Sequence, residues 1–151
     1  MSRVIVIEFV SVDGIMEDPD GSDGSAQGGW AFRYGPEAVA GDKFGLKEVL
    51  DTVVSRSLER ATDWQNSTVL EGDVVAAVRE RKQARDIMVT GSTRVVRTLM
   101  AHDLVDEYRL IVFPIVLGAG TRLFPDGTPI DLNLVSVQTA GPAVRLTDTR
   151  P

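Results

Sequence analysis

Runs and alternations of apolar side chains divide the chain into short segments. "RVIVIEFVSVDG" (3–14) joins a continuous apolar run to near-alternation and predicts a first strand ending at Asp13-Gly14. "DIMVTG" (86–91) is short and almost wholly apolar, as expected of a strand buried on both faces, and "VDEYRLIVFPIVLG" (105–118) predicts a long strand running to Pro114. "TVVSRSLE" (52–59) and "STVLEG" (67–72) read as short extended pieces. The closing "LNLVSVQTAGPAVRLTDTR" (132–150) reads as two strands of an antiparallel hairpin turning at Ala140-Gly141-Pro142-Ala143.

Between these segments the period changes to that of a helix. "GDVVAAVRERKQA" (72–84) starts with Asp73 as a cap, gathers Val74, Val75, Ala77 and Val78 on one face, and ends in cations that suit the negative helix end. "STRVVRTLMAHD" (92–103) turns Val95, Val96, Leu99 and Met100 inward. "GPEAVAGDKFGLKEVLDT" (35–52) has a helical pattern that Gly41 and Gly45 weaken. "EDPDGSDGSAQGG" (17–29) has the composition of a mobile loop, and its place after the first strand suits a lid. Strands alternating with helices predict an α/β domain over 1–151, with a mostly parallel central sheet covered on both faces and a C-terminal antiparallel hairpin at one edge.

Ligands of such sheets bind beyond the carboxyl ends of the parallel strands. Asp13-Gly14, Ser55-Arg56, Gly91-Ser92 and Phe113-Pro114 are expected to converge there. In "VTGST" (89–93) a strand ends at Gly91 and a helix opens with Ser92 and Thr93, so free backbone amides and the positive helix end meet at one point. A phosphate or pyrophosphate suits that turn, and so does a plain connection in which Ser92 caps the helix. In "VVSRSLE", Ser55, Arg56 and Ser57 can grip a phosphate monoester, with the guanidinium making two parallel hydrogen bonds; alone, such an arginine is more often a solvated charge. Two anion-suited turns at one sheet edge are what a dinucleotide with an additional phosphate needs, a description that fits NADPH. The usual G-x-G-x-x-G fingerprint follows none of the strands, and "LGAGTRLFPDG" (117–127) reads as a tight loop.

Composition narrows the classes. The net charge of -6 argues against a nucleic-acid partner. The absence of cysteine removes disulfides and thiol catalysis and suits a reducing cytoplasm. With a single histidine as well, a zinc site is not expected. No run is long and apolar enough for a membrane span, and the N-terminus reads as a strand, not a signal peptide. His102 reads as a helix-end cap, Asp103, Asp106 and Glu107 as a solvated acidic stretch, and Trp30 and Trp64 as core or lid anchors. Ser11 and Asp13 have no base beside them to form a triad.

"FVSVDGIMEDP", "VVSRSLE", the run from Asp86 to Gly127 and the closing hairpin resemble the dihydrofolate-reductase-like family that includes the reductase domain of bacterial riboflavin biosynthesis. The resemblance covers most of the chain and is most specific in G-S, helix, L-V-D-E-Y-R-L and P-x-V-L-G-x-G-x-x-L-F. It implies a three-layer fold and an NADPH-dependent reductase acting on a small heterocyclic substrate, closest to 5-amino-6-(5-phosphoribosylamino)uracil. A non-catalytic dinucleotide-binding protein and a dihydrofolate reductase are the alternatives. By the same resemblance Gly91 and Ser92, with Thr90, Thr93 and Arg94 beside them, hold the pyrophosphate, and Ser55 and Arg56 the adenosine phosphate. Ser11, Asp13 and Gly14 border the substrate, and Phe113 and Pro114, with Ile115, the nicotinamide side of the same pocket. Asp13, Glu37 and Asp42 are the candidates for the proton donor.

The family also implies a homodimer, for which the apolar "RLIVFPIVL" strand and the hairpin offer an edge. One departure stands out. Relatives carry a further strand with a G-R-x-T-like turn and a helix before the "VVSR" strand, whereas here "EVLDT" runs straight into it near 51–53. Such a unit is roughly thirty or more residues, and its loss is expected to leave a hole in the middle of the sheet. An omitted segment, a true deletion and a neighbouring chain filling the gap each account for it. The omission is favoured, because losing a central strand costs more than the few kcal/mol that a domain has to spare.

Overall fold

The computed structural model of the chain describes residues 2–39, 53–54, 73–90, 93–127 and 129–151. β1 (Val4–Ser11) is followed by a 3-10 helix (Trp30–Tyr34), α1 (Pro36–Val39) and β2 (Val53–Val54). Then come α2 (Val74–Lys82), β3 (Ile87–Thr90), α3 (Thr93–Ala101) and β4 (Glu107–Phe113), and the hairpin of β5 (Asn133–Ala140) and β6 (Ala143–Thr149) closes the chain. The six strands form one mixed sheet in the order β2-β3-β1-β4-β6-β5. The first four are mutually parallel, and β6 turns antiparallel to both β4 and β5.

β1 lies in the interior of this sheet with helical segments on both faces, which is why Val4, Ile5, Val6 and Ile7 are all buried. Val4, Val6 and Val10 pack with Val78 of α2 and Val95, Val96 and Leu99 of α3. Ile5 and Ile7 pack on the opposite face with Trp30, Ala31, Ala38, Met88 and Phe113. Each large side chain buried in this way contributes about 1.5–3 kcal/mol of transfer free energy. α2 begins where expected, with the Asp73 side chain accepting from the Ala76 N–H at 3.2 Å and Arg79, Arg81 and Lys82 in the last turn. The hairpin turns at Gly141, whose φ of +59° is one glycine adopts without a Cβ penalty.

Several expectations change. β1 stops at Ser11 and β4 at Phe113, short of Gly14 and of Pro114, which has no N–H to continue a ladder. The sheet is not interrupted in its middle among the described strands: β2 pairs directly with β3, Val53 opposite Met88 and Val54 opposite Val89. β4 is not an edge, since β1 and β6 flank it, and the "RLIVF" part of the proposed dimer edge is interior. The acidic stretch is not simply solvated. Glu107 is buried and pairs with Arg3 and Arg109, each at 2.6 Å, while Asp106 pairs with Lys82 at 2.5 Å and Arg150 at 3.0 Å. Burial of those carboxylates is tolerable because each meets a cation.

The loop after β1 is compact. Asp18, only 3% exposed, accepts hydrogen bonds on its carboxylate from the N–H groups of Asp23 and Ser25, and its carbonyl accepts from Gly21 and Gly29. Trp30 closes the loop as a core residue, donating from Nε1 to the Glu17 carbonyl at 2.9 Å. His102 Nδ1 lies 2.9 Å from the Thr98 carbonyl at the end of α3, in keeping with a helix-end role.

Candidate functional site

The carboxyl ends of β1, β3 and β4 come together at one sheet edge. Thr90 at the end of β3 lies opposite Ile7 of β1, and Ser11 at the end of β1 lies opposite Phe113 at the end of β4. After β1 the chain passes to the face that carries Trp30 and Ala38, whereas after β3 it enters α3 on the other face. Adjacent parallel strands whose connections part in this way leave a crevice between them, the usual ligand position on open α/β sheets. α3 follows β3 with Thr93 and has no acidic residue in its own first turn to offset the positive helix end. Thr93 is half-buried and Arg94 is exposed. Ser55, Arg56, Gly91, Ser92 and Asp42 lie outside the described residues.

On the other side of β1 the edge is laced together through Asp13. Its carboxylate accepts from the Ser11 hydroxyl at 2.6 Å, from the Leu117 N–H at 3.1 Å and from the Gly118 N–H at 2.8 Å. Ser11 Oγ in turn accepts from the Ile15 N–H at 2.9 Å. Backbone bonds from Val12 to Ile115, Met16 to Thr121 and Leu123 to Gly14 continue the seam between the β1 and β4 loops. The Ser11 hydroxyl, helped by the Gly118 and Leu117 amides, holds the Asp13 carboxyl at about 2, far below its usual value. Those donors hold it ionised at neutral pH in this structure. Leu117 and Gly118 were not singled out from the sequence. Their signal was the tight "LGAG" turn, where Gly118 and Gly120 take φ of +78° and +128°.

The remaining candidates separate by accessibility. Ser11 is buried with its hydroxyl engaged on both sides, and Phe113 is fully buried. Phe113 sits at the centre of an aromatic cluster, with ring centroids 5.4 Å from Phe9 and Trp30 and 5.7 Å from Tyr34. Gly14 and Pro114 are accessible, and the position of a Cβ on Gly14 meets only open space. Glu37 is exposed on α1 beside the β5–β6 turn, where a Cβ added to Gly141 would lie 3.4 Å from the Glu37 Cβ. Because Val144 pairs with Val112 near the end of β4, that turn belongs to the same sheet edge. Among the described residues no cluster of metal-ligating side chains occurs, and no helix is long and apolar enough to cross a membrane.

Comparison with known proteins places this arrangement. No curated protein matches the sequence. Among solved structures, one from Shewanella sp. PV-4, assigned to riboflavin biosynthesis, superposes with a TM-score of 0.73 at 18% identity over 99% of both chains. Acinetobacter baumannii RibD superposes at 0.65 with 14% identity, over all of this chain but 58% of that one. A diaminohydroxyphosphoribosylaminopyrimidine deaminase/5-amino-6-(5-phosphoribosylamino)uracil reductase from Thermotoga maritima gives 0.62 at 11% identity, over 99% of this chain and 57% of that one. The chain thus spans little more than half of these two larger proteins and shares their fold. The RibD C-terminal domain model matches residues 43–146, and the chain belongs to that family.

Proposed function

We propose that this protein is an NADPH-dependent reductase with a dihydrofolate-reductase-like three-layer fold, delivering hydride to a small heterocyclic substrate. The closest chemistry is reduction of a ribosylamino-pyrimidine, the activity in the name of the Thermotoga relative. The observation that carries the reading is that the connections after β1 and β3 part to opposite faces of the sheet, with no acidic residue in the first turn of α3. A pyrophosphate fits a helix end of this kind. Thr90, Thr93 and Arg94, with Gly91 and Ser92, would hold it, and Ser55 with Arg56 would hold the phosphate that distinguishes NADPH from NADH. When bound, the cofactor supplies the hydride. The chain's own task is to orient the substrate and exclude water. Gly14 leaves room for close approach, Pro114 borders the pocket, and Asp13 fixes the two loops that frame it. Glu37, an exposed carboxylate beside the β5–β6 turn, would supply a proton. The cysteine-free composition suits a cytoplasmic enzyme.

A second reading, non-catalytic dinucleotide binding, is favoured by one observation: the Asp13 carboxylate and the Ser11 hydroxyl are both engaged in the hydrogen bonds of the loop seam. Turnover separates the two. Purified protein is mixed with NADPH and a panel of ribosylamino-pyrimidines and pteridines while the absorbance of the reduced nicotinamide is followed. Consumption that depends on one substrate class, and that Glu37→Gln slows, supports the reductase. Tight NADPH binding with no consumption across the panel supports the binding protein.

A further inference from the structure

We propose that a second ligand site lies between the later turns of α3 and the loop before β5, and that it takes a small organic monocarboxylate with an apolar body. Met100, Phe124, Ile130 and Leu132 line a cleft of about 750 Å³ there, and its charged residues among those described are Arg97 and Asp126. A smaller cavity of about 380 Å³ shares Arg97 and Asp126 with it and adds Arg122. A cleft of this size holds a small molecule, with apolar walls for its bulk and a few polar groups to orient it. It is separate from the crevice at the start of α3. Thr93 opens that helix and Met100 comes seven positions later, about 10 Å along the axis at 1.5 Å per residue.

Arg97 sets the charge of the occupant. Its Nη2 donates to the Arg122 carbonyl, a bond across 25 positions of sequence that fixes the guanidinium between the two cavities. Its Nε is buried and meets no acceptor. Asp126 lines the same cleft, yet among the described residues no carboxylate forms an ion pair with Arg97. A half-buried guanidinium with an unsatisfied N–H is costly to keep in a folded protein. A carboxylate entering from the cleft supplies the missing acceptors and matches the planar fork with parallel hydrogen bonds. A phosphate monoester fits less well, since it carries close to two negative charges at neutral pH and Asp126 stands beside the single guanidinium of the cleft. The walls of Met100, Phe124, Ile130 and Leu132 then take an aromatic or aliphatic body.

The test is a titration of the full chain, labelled with carbon-13 at its methionine methyls, with phenylbutyrate and with its neutral counterpart phenylbutyramide. Met100 lines the cleft, whereas Met16 and Met88 are buried in the core and serve as internal references. The Met100 signal is expected to shift with millimolar phenylbutyrate and to report binding at least about tenfold tighter than that of the amide, the size of one charge-assisted hydrogen bond. Arg97→Gln is expected to abolish that preference. Ile130→Asp, at a rim position that is 48% exposed, is expected to weaken the carboxylate and spare the amide. Arg79→Gln, an exposed arginine of α2 that lines neither cavity, is expected to change nothing. Saturating NADPH is expected to leave the probe in place, so the outcome does not depend on the cofactor reading. No Met100 shift, equal binding of acid and amide, an Arg97→Gln protein that keeps the preference, or displacement of the probe by NADPH overturns the proposal.

Discussion

The Asp13 carboxylate accepts the Gly118 backbone N–H at 2.8 Å across 105 positions of sequence. With the Leu117 amide and the Ser11 hydroxyl it joins the exit of β1 to the exit of β4. Removing the carboxylate leaves two backbone donors to find water and frees both loops. Asp13→Ala is expected to raise KM roughly ten- to a hundredfold, since small misplacements of positioning groups have effects of that size, and to lower kcat less. Asp13→Asn keeps one acceptor oxygen and is expected to recover part of the loss. Steady-state kinetics on the three proteins checks this, and an unchanged KM in Asp13→Ala contradicts it.

The same carboxylate gives a defined acid response. Its folded pKa is about 2 against an ordinary 3.8, so it stabilises the fold above about pH 4 and loses that contribution as pH falls towards 2. The melting temperature of wild type minus that of Asp13→Asn is expected to be positive and flat above pH 4 and to shrink below it. A difference that grows on acidification contradicts the assignment.

Phe113 is a packing residue first. With the ring fully buried among Phe9, Trp30 and Tyr34, Phe113→Ala is expected to cost about 3–5 kcal/mol of stability. Phe113→Leu is expected to cost far less and to leave KM near its wild-type value. Urea unfolding and kinetics on the two variants test the pair of statements. A stable Phe113→Ala protein with a raised KM would return the ring to the substrate pocket.

The loop after β1 depends on a glycine for space. A Cβ on Gly28 would come 2.2 Å from Asp18 Oδ2, and the Asp23 and Ser25 amides hold that carboxylate in place. Gly28→Ala is expected to cost about 1–3 kcal/mol, the usual range for overpacking, and to speed proteolysis between residues 18 and 29. Thermal melting and limited proteolysis check it, and a loop as resistant as the wild type contradicts it.

Much of this was legible locally. The apolar run Val4–Ile7 announced a strand, Asp73 announced the start of α2, and the face of Val95, Val96 and Leu99 announced how α3 would sit. The pairing of Asp106 and Glu107 was not legible, because Arg3, Lys82 and Arg150 reach them through strand order, which no local pattern encodes. Asp13 was legible as the end of the first strand, but its bonds were not, since its donors at Leu117 and Gly118 lie on a distant loop. Phe113 was legible at the same strand end as Ser11, which it pairs with. Its direction depended on which face the 3-10 helix would cover.

Cofactor choice is tested most directly by a thermal-shift titration of wild type and Arg56→Ala with NADPH and NADH. A ligand at one hundred times its dissociation constant adds about 2.7 kcal/mol of stability, which displaces the melting curve visibly. NADPH is expected to stabilise the wild type more than NADH does, and Arg56→Ala is expected to abolish the difference. No shift with either nucleotide, or equal shifts that Arg56→Ala leaves alone, would contradict an NADPH site at this sheet edge.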